Sequence, residues 1–204
     1  ASPLATVTAA LAGPVAAVCA GGLALAVIAA GVIVLRRRGN LFAGINALYL
    51  TRSGVEANAR FFTDFVTELV ARDASLDAVW SFELRNELYM DLNEPPFSLA
   101  SGRVTTANGR TYDLADADQK QQLLGEGIAF WTDSVRAEIL SRDPTALVSV
   151  GFFVPQAPNP TRPGDNRIVE TRQVIAESTA DFIDLHGYPG VDLPLPLHLE
   201  NFGL

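Results

Sequence analysis

Residues 77–87 read DAVWSFELRNE, and the fold class turns on how this stretch is taken. Val79, Trp80 and Phe82 are β-branched or aromatic, the residue types that fit a pleated, half-buried surface. The run then closes in polar and charged residues: Glu83, Arg85, Asn86 and Glu87. A strand is therefore predicted over 77–84, with Asn86 and Glu87 at its C-terminal end.

The flanking segments extend this pattern. Upstream, TRSGVEANARFFTDFVTELVARD (51–73) is an amphipathic helix. Val55, Phe62, Phe65 or Val66, and Leu69 form its stripe, and Ser53 with Glu56 has capping-box spacing. Residues 39–50 read as a loop with short extended pieces. Downstream, Met90 to Asp113 is long and rich in turn signals: Pro95-Pro96, Ser101-Gly102 and Asn108-Gly109. Loops of that length more often carry function than merely connect.

A second helix is predicted over 116–144, with Leu124, Ile128, Trp131, Val135 and Ile139 on one side and Pro144 as its stop. ALVSVGFF (146–153) is a continuous apolar strand. After a Pro-rich loop, 167–178 is a weaker helix and ADFIDLHGYPG (180–190) a third strand with a polar end. The tail, 191–204, is broken by prolines. Helix and strand alternate three times, which implies parallel strands joined by helical crossovers. The polar or aromatic clusters Asn86-Glu87, Gly151-Phe152-Phe153 and His186-Tyr188 each follow a strand, where parallel α/β proteins place their active sites.

The front of the chain differs in kind. Pro14 to Leu35 holds no charge, and its 22 residues would rise about 33 Å as a helix, enough to cross a hydrocarbon core. Arg36, Arg37 and Arg38 follow it. Charge after an apolar run, not before it, argues for a single membrane span rather than a secretory signal. The expected organisation is a membrane-spanning segment over 1–38 and an α/β domain over 39–204, hence a membrane-associated protein. Residues 39–204 carry 23 acids against 12 bases, a formal charge of -11. Such acidity excludes nucleic acid as a partner, because phosphate binding needs a basic surface. Cys19 is the only cysteine and His186 and His198 the only histidines, so no disulfide, metal or cofactor is expected.

Two clusters carry candidate chemistry. Glu87 lies near Trp80, Phe82 and Tyr89 in sequence, and a carboxyl among aromatics has its pKa raised by desolvation, which suits a general acid. Asn86 beside it can hold a substrate hydroxyl, and Tyr89 joins it as a candidate substrate contact. His186 and Tyr188 can stack on a sugar and bond its hydroxyls, with Gly187 and Gly190 allowing close approach. Taken alone, a Glu after a strand is most often solvated and a single His most often structural. Cleavage of a glycosidic bond usually takes two carboxyls. Glu200 is the tempting second one, but 13 residues after His186 are too few for a loop, a helix and another barrel strand.

AVWSFELRNE resembles the fourth-strand motif of the clan A retaining glycoside hydrolases, the cellulase-like family five above all. ADFIDLHGYPG is similar to the sixth strand of that family, and ALVSVGFF fills the place of the fifth. The resemblance spans residues 46–204. It implies a partial (β/α)8 TIM barrel of about strands 4–6, a β-glycoside substrate, and retention of configuration. It also implies Glu87 as acid/base, Asn86 on the sugar 2-hydroxyl, and His186 and Tyr188 orienting sugar and nucleophile. A complete barrel takes about 250 residues, so the nucleophilic Glu is expected beyond residue 204 and the chain alone is expected to be inactive by double displacement. The alternatives are a non-catalytic, membrane-anchored carbohydrate-binding or interaction module, and a different (β/α)-type enzyme. The sequence leaves the sugar, the linkage and the oligomeric state open.

Overall fold

Two long amphipathic helices and one short parallel sheet share a single apolar core. The computed structural model describes residues 41–152, 164–187 and 194–204, and Phe42–Leu204 forms one contact unit. Helix α1 (Gly44–Leu50) packs on α2 (Arg52–Ala71) and on α3 (Ala117–Leu140). Strands β1 (Phe82–Glu83), β5 (Val148–Phe152) and β7 (Phe182–Leu185) make the sheet, with β5 in the middle and both pairings parallel. The antiparallel ladders β2–β6 (Met90–Asp91 with Arg167–Ile168) and β3–β4 (Arg103–Thr105 with Thr111–Asp113) stand outside it. Helix α4 (Thr171–Glu177) precedes β7, and α5 (Leu195–Asn201) follows it.

The helices form where the apolar period is 3.6. Val55, Phe62 and Val66 of α2 are buried, as are Leu124, Ile128, Trp131, Val135 and Ile139 of α3. Phe65 stays 46 % exposed, so Val66 is the stripe residue. Thr51 caps α2, accepting the Gly54 N–H at 3.0 Å, rather than Ser53. Asp116 caps α3 by accepting from the N–H groups of Asp118 and Gln119; the Gln119 side-chain amide, which also donates to it, and then these backbone bonds hold its carboxyl below the usual range. The edge of the Tyr49 ring meets Trp131 at 4.9 Å. On the sheet, Phe82, Leu84, Val148, Val150 and Phe152 join this core, with Ile183 and Leu185 packed against it.

The start of the sheet is pinned to α3. Arg136 reaches Asp181 at 2.9 Å, and Asp181 Oδ2 also accepts the Val148 N–H at 2.9 Å. Its carboxyl is held below the usual range, first by the Arg136 hydrogen bond. Asp181 stands immediately before β7 and Val148 opens β5, so one side chain ties two strands to a helix.

Several expectations are corrected. The partial (β/α)8 TIM barrel is not formed: three parallel strands with two separate antiparallel pairs make a mixed α/β fold with small sheets, and no barrel closes among the described residues. The stretch 41–50, read as a loop with short extended pieces, is largely helix α1, with Asn46, Tyr49 and Leu50 buried on one side. The described part of the tail turns helical in α5; Pro194 and Pro196 lack the N–H groups a ladder needs. The strand predicted over 77–84 shrinks to two residues, because Leu76–Ala78 forms a 3-10 turn.

The membrane-associated placement is withdrawn as well. No helix among the described residues is long and apolar enough to cross a membrane. Helix α3 has 24 residues but carries Lys120, Glu126, Asp133, Arg136 and Glu138 along its length. The apolar segment from Pro14 to Leu35 lies outside the described residues.

Candidate functional site

The pleat of the sheet decides which side chains meet. Successive residues of a strand point to opposite faces. In the observed register Glu83 pairs Ser149, Ser149 pairs Phe182, and Gly151 pairs Asp184. Glu83, Ser149, Gly151, Phe182, Asp184 and His186 therefore share the face turned away from the helices. The apolar partners Phe82, Val148, Val150, Phe152, Ile183 and Leu185 take the other.

Between Glu83 and Leu88 the chain leaves the sheet and returns. Leu84 donates to Ser149 O at 2.8 Å, Gly151 donates to Arg85 O at 3.0 Å, and Leu88 donates to Gly151 O at 2.7 Å. Leu88 then bridges Phe152 in parallel register. Asn86 and Glu87 form the turn between these rungs. The excursion closes because Glu87 takes φ +52°, a left-handed conformation that costs a non-glycine residue about 1–3 kcal/mol. Asn86 is exposed in the turn, and Glu87 is part-buried.

His186 sits one residue past β7, its N–H donating to Phe152 O at 2.9 Å. Its ring is the centre of the site. Nδ1 lies 3.3 Å from Glu87 Oε1, while Nε2 lies 3.7 Å from Glu83 Oε1 and 3.5 Å from Asp184 Oδ2. The His186 side chain is 17 % exposed and that of Asp184 55 %. Burial raises the Glu83 pKa; the His186 charge opposes the rise and Asp184 adds to it.

Gly151 makes this proximity possible. A Cβ built on it would stand 2.2 Å from Glu83 Oε1 and 2.9 Å from His186 Nε2. A cation stands close by. Arg167 pairs with Asp165 through two contacts, at 2.9 and 2.7 Å, and lies over the Tyr89 ring at 5.7 Å. Its pKa is raised mainly by the Asp165 hydrogen bond, with smaller contributions from the charges of Tyr89 and Glu87.

Of the residues predicted from sequence, Glu87 and His186 come together. Tyr89 contacts Arg167 instead, and Tyr188 lies outside the described residues. The aromatic surround predicted for Glu87 goes elsewhere: Phe82 is in the core, and Trp80, 75 % exposed, packs on Phe182 at 5.2 Å. Glu200 belongs to α5. Sequence reasoning missed Glu83, Asp184 and Arg167, while Gly151 stood in the strand-end cluster 151–153. The signal for Asp184 was present, since it lies two residues before His186 on an alternating strand, whereas Glu83 joins them only through the register of β1 on β5. Comparison of the chain with protein-family models, with curated proteins and with solved structures gives no match.

Proposed function

We propose that this sheet edge cleaves a β-glycosidic bond by acid/base catalysis. Glu87 protonates the departing glycosidic oxygen while a second carboxylate, one not assigned among the described residues, takes the anomeric carbon; Glu87 then removes a proton from the water that displaces that carboxylate. His186, bonded to the Glu87 carboxylate through Nδ1, fixes its direction. Asn86, exposed beside it, holds a sugar hydroxyl. The observation that carries this reading is the geometry of Glu87: a non-glycine residue in a left-handed turn, its carboxylate 3.3 Å from an imidazole that stands past the end of β7, across β5. Backbone strain of this kind concentrates where a side chain must be aimed. The resemblance of AVWSFELRNE to the cellulase-like motif assigns the same residue the same task.

The test compares aryl and alkyl β-glycosides in wild type and Glu87→Gln, with formate or azide supplied as the external nucleophile that attacks the anomeric carbon. Loss of the acid should lower cleavage of an alkyl glycoside about 10²–10⁴-fold. A dinitrophenyl glycoside, whose leaving group needs no proton, should suffer far less. Equal loss on both substrates would show that Glu87 is not the acid. Sugar binding without cleavage, unchanged in Glu87→Gln, would replace this reading with that of a carbohydrate-binding module.

A further inference from the structure

We infer that Glu83, Asp184 and His186 form a binding site for one first-row divalent cation, with Glu87 as the carboxylate that orients the imidazole. One nitrogen and two carboxylate oxygens lie within 4.8 Å of one another, from two strands that flank β5. Ligands about 2.0–2.1 Å from a tetrahedral ion stand roughly 3.3 Å apart. The two pairs that involve His186 Nε2, at 3.5 and 3.7 Å, are already within a few tenths of that. The two carboxylates are part-exposed and can rotate to close the rest.

Three independent features fit a cation here. Glu87 occupies the ring nitrogen opposite the proposed ligand, the arrangement that sets the tautomer and basicity of a metal-bound histidine. Gly151 leaves open the space between Glu83 and His186 that any side chain would fill. Two carboxylates, Glu83 and Asp184, also converge on the same Nε2 edge of the ring, where a cation would offset their repulsion. The donor set of one nitrogen with two oxygens suits Zn2+, Fe2+ or Mn2+ better than Mg2+ or Ca2+, which prefer oxygen alone.

This inference uses the Nε2 edge of His186, whereas the proposed proton transfer uses the Nδ1 edge, so either can fail alone. The experiment titrates ZnCl2 into the full chain, free of any polyhistidine tag, by calorimetry, and Co2+ by its visible absorption. No sugar is present. Wild type should bind one equivalent saturably, with tetrahedral-type Co2+ bands. Asp184→Asn and Glu83→Gln should weaken Zn2+ at least about tenfold, and Glu87→Gln about 10–100-fold with an altered Co2+ spectrum. Circular dichroism melts in chelator establish that each variant is folded; Asp184→Asn, at an exposed position, keeps the test valid should Glu83→Gln unfold. Absence of saturable binding at millimolar Zn2+, or equal binding by wild type and Asp184→Asn, overturns the site.

Discussion

Replacing Gly151 by Ala should separate the site from the fold. No positive φ is needed at Gly151, so alanine fits the backbone. Its Cβ would meet Glu83 Oε1 at 2.2 Å, His186 Nε2 at 2.9 Å and Arg85 O at 3.1 Å. The first two are side-chain ends on the open face and can swing away. The third is backbone and must give by a few tenths of an ångström. Overpacking costs about 1–3 kcal/mol, and a Gly-to-Ala change returns about 0.4–1 kcal/mol through the unfolded chain. The net expectation is about 1 kcal/mol of destabilisation, or roughly 2–4 °C in Tm for a domain of this size. Zn2+ binding should fall much further, at least about tenfold, because the methyl displaces two of three ligands. Thermal melts in chelator and zinc calorimetry on the same preparation read both quantities. Zinc affinity equal to wild type would refute the claim that Gly151 holds the space open. A fall in Tm of about 10 °C or more would show instead that the strand itself demands glycine.

Two further outcomes concern the scaffold. Asn46→Ala should cost about 2–4 kcal/mol in urea unfolding, because Asn46, fully buried, donates to Asp91 O at 2.8 Å and Glu94 O at 3.1 Å and accepts the Asp91 N–H at 2.8 Å; a loss below about 0.5 kcal/mol would deny that it organises the 91–95 turn. Tyr112 has its pKa pushed up to about 12 by burial and by its hydrogen bond to Glu126. The fold thus favours the neutral phenol, so this contribution is complete below pH about 10 and is lost as pH rises toward 12, at most roughly 2–3 kcal/mol. Tyr112→Phe should flatten that alkaline decline in stability, and an unchanged pH profile would refute the assignment.

Much of the scaffold was legible because burial writes itself as periodicity. The stripes of α2 and α3 and the apolar run of β5 were each readable, and Asn108-Gly109 does turn the β3–β4 hairpin, with Gly109 at φ +81°. Helix α1 was not readable, because a polar residue, Asn46, occupies its buried side and interrupts the apolar pattern. The cap of α2 was misread because Thr51 and Ser53 are chemically alike, and only geometry selects between them. Predicted strand length failed at 77–84 for a similar reason: Val79 and Trp80 favour a strand, yet the Leu76–Ala78 turn precedes them and Trp80 remains mostly in solvent. In the site, Glu87 and His186 were visible as strand ends. Glu83 and Asp184 were passed over because acids on an alternating strand ordinarily mark a solvated face.

The same alternation links the core to the site more tightly than either shows alone. Packing requires Phe82, Val148, Val150, Phe152, Ile183 and Leu185 to face the helices. Period two then sends Glu83, Gly151, Asp184 and His186 to the opposite face with no further instruction. A slip of β7 by one residue would bring Ile183 and Leu185 onto that face and bury Asp184. Register is thus held twice: by the apolar residues behind the sheet, and by Asp181, which binds Arg136 and the Val148 N–H where β7 begins. The cluster around His186 needs no strong attraction among its own members to assemble. Hydrophobic burial on the far face does that work, which is how three carboxylates can be held around one imidazole despite their mutual repulsion.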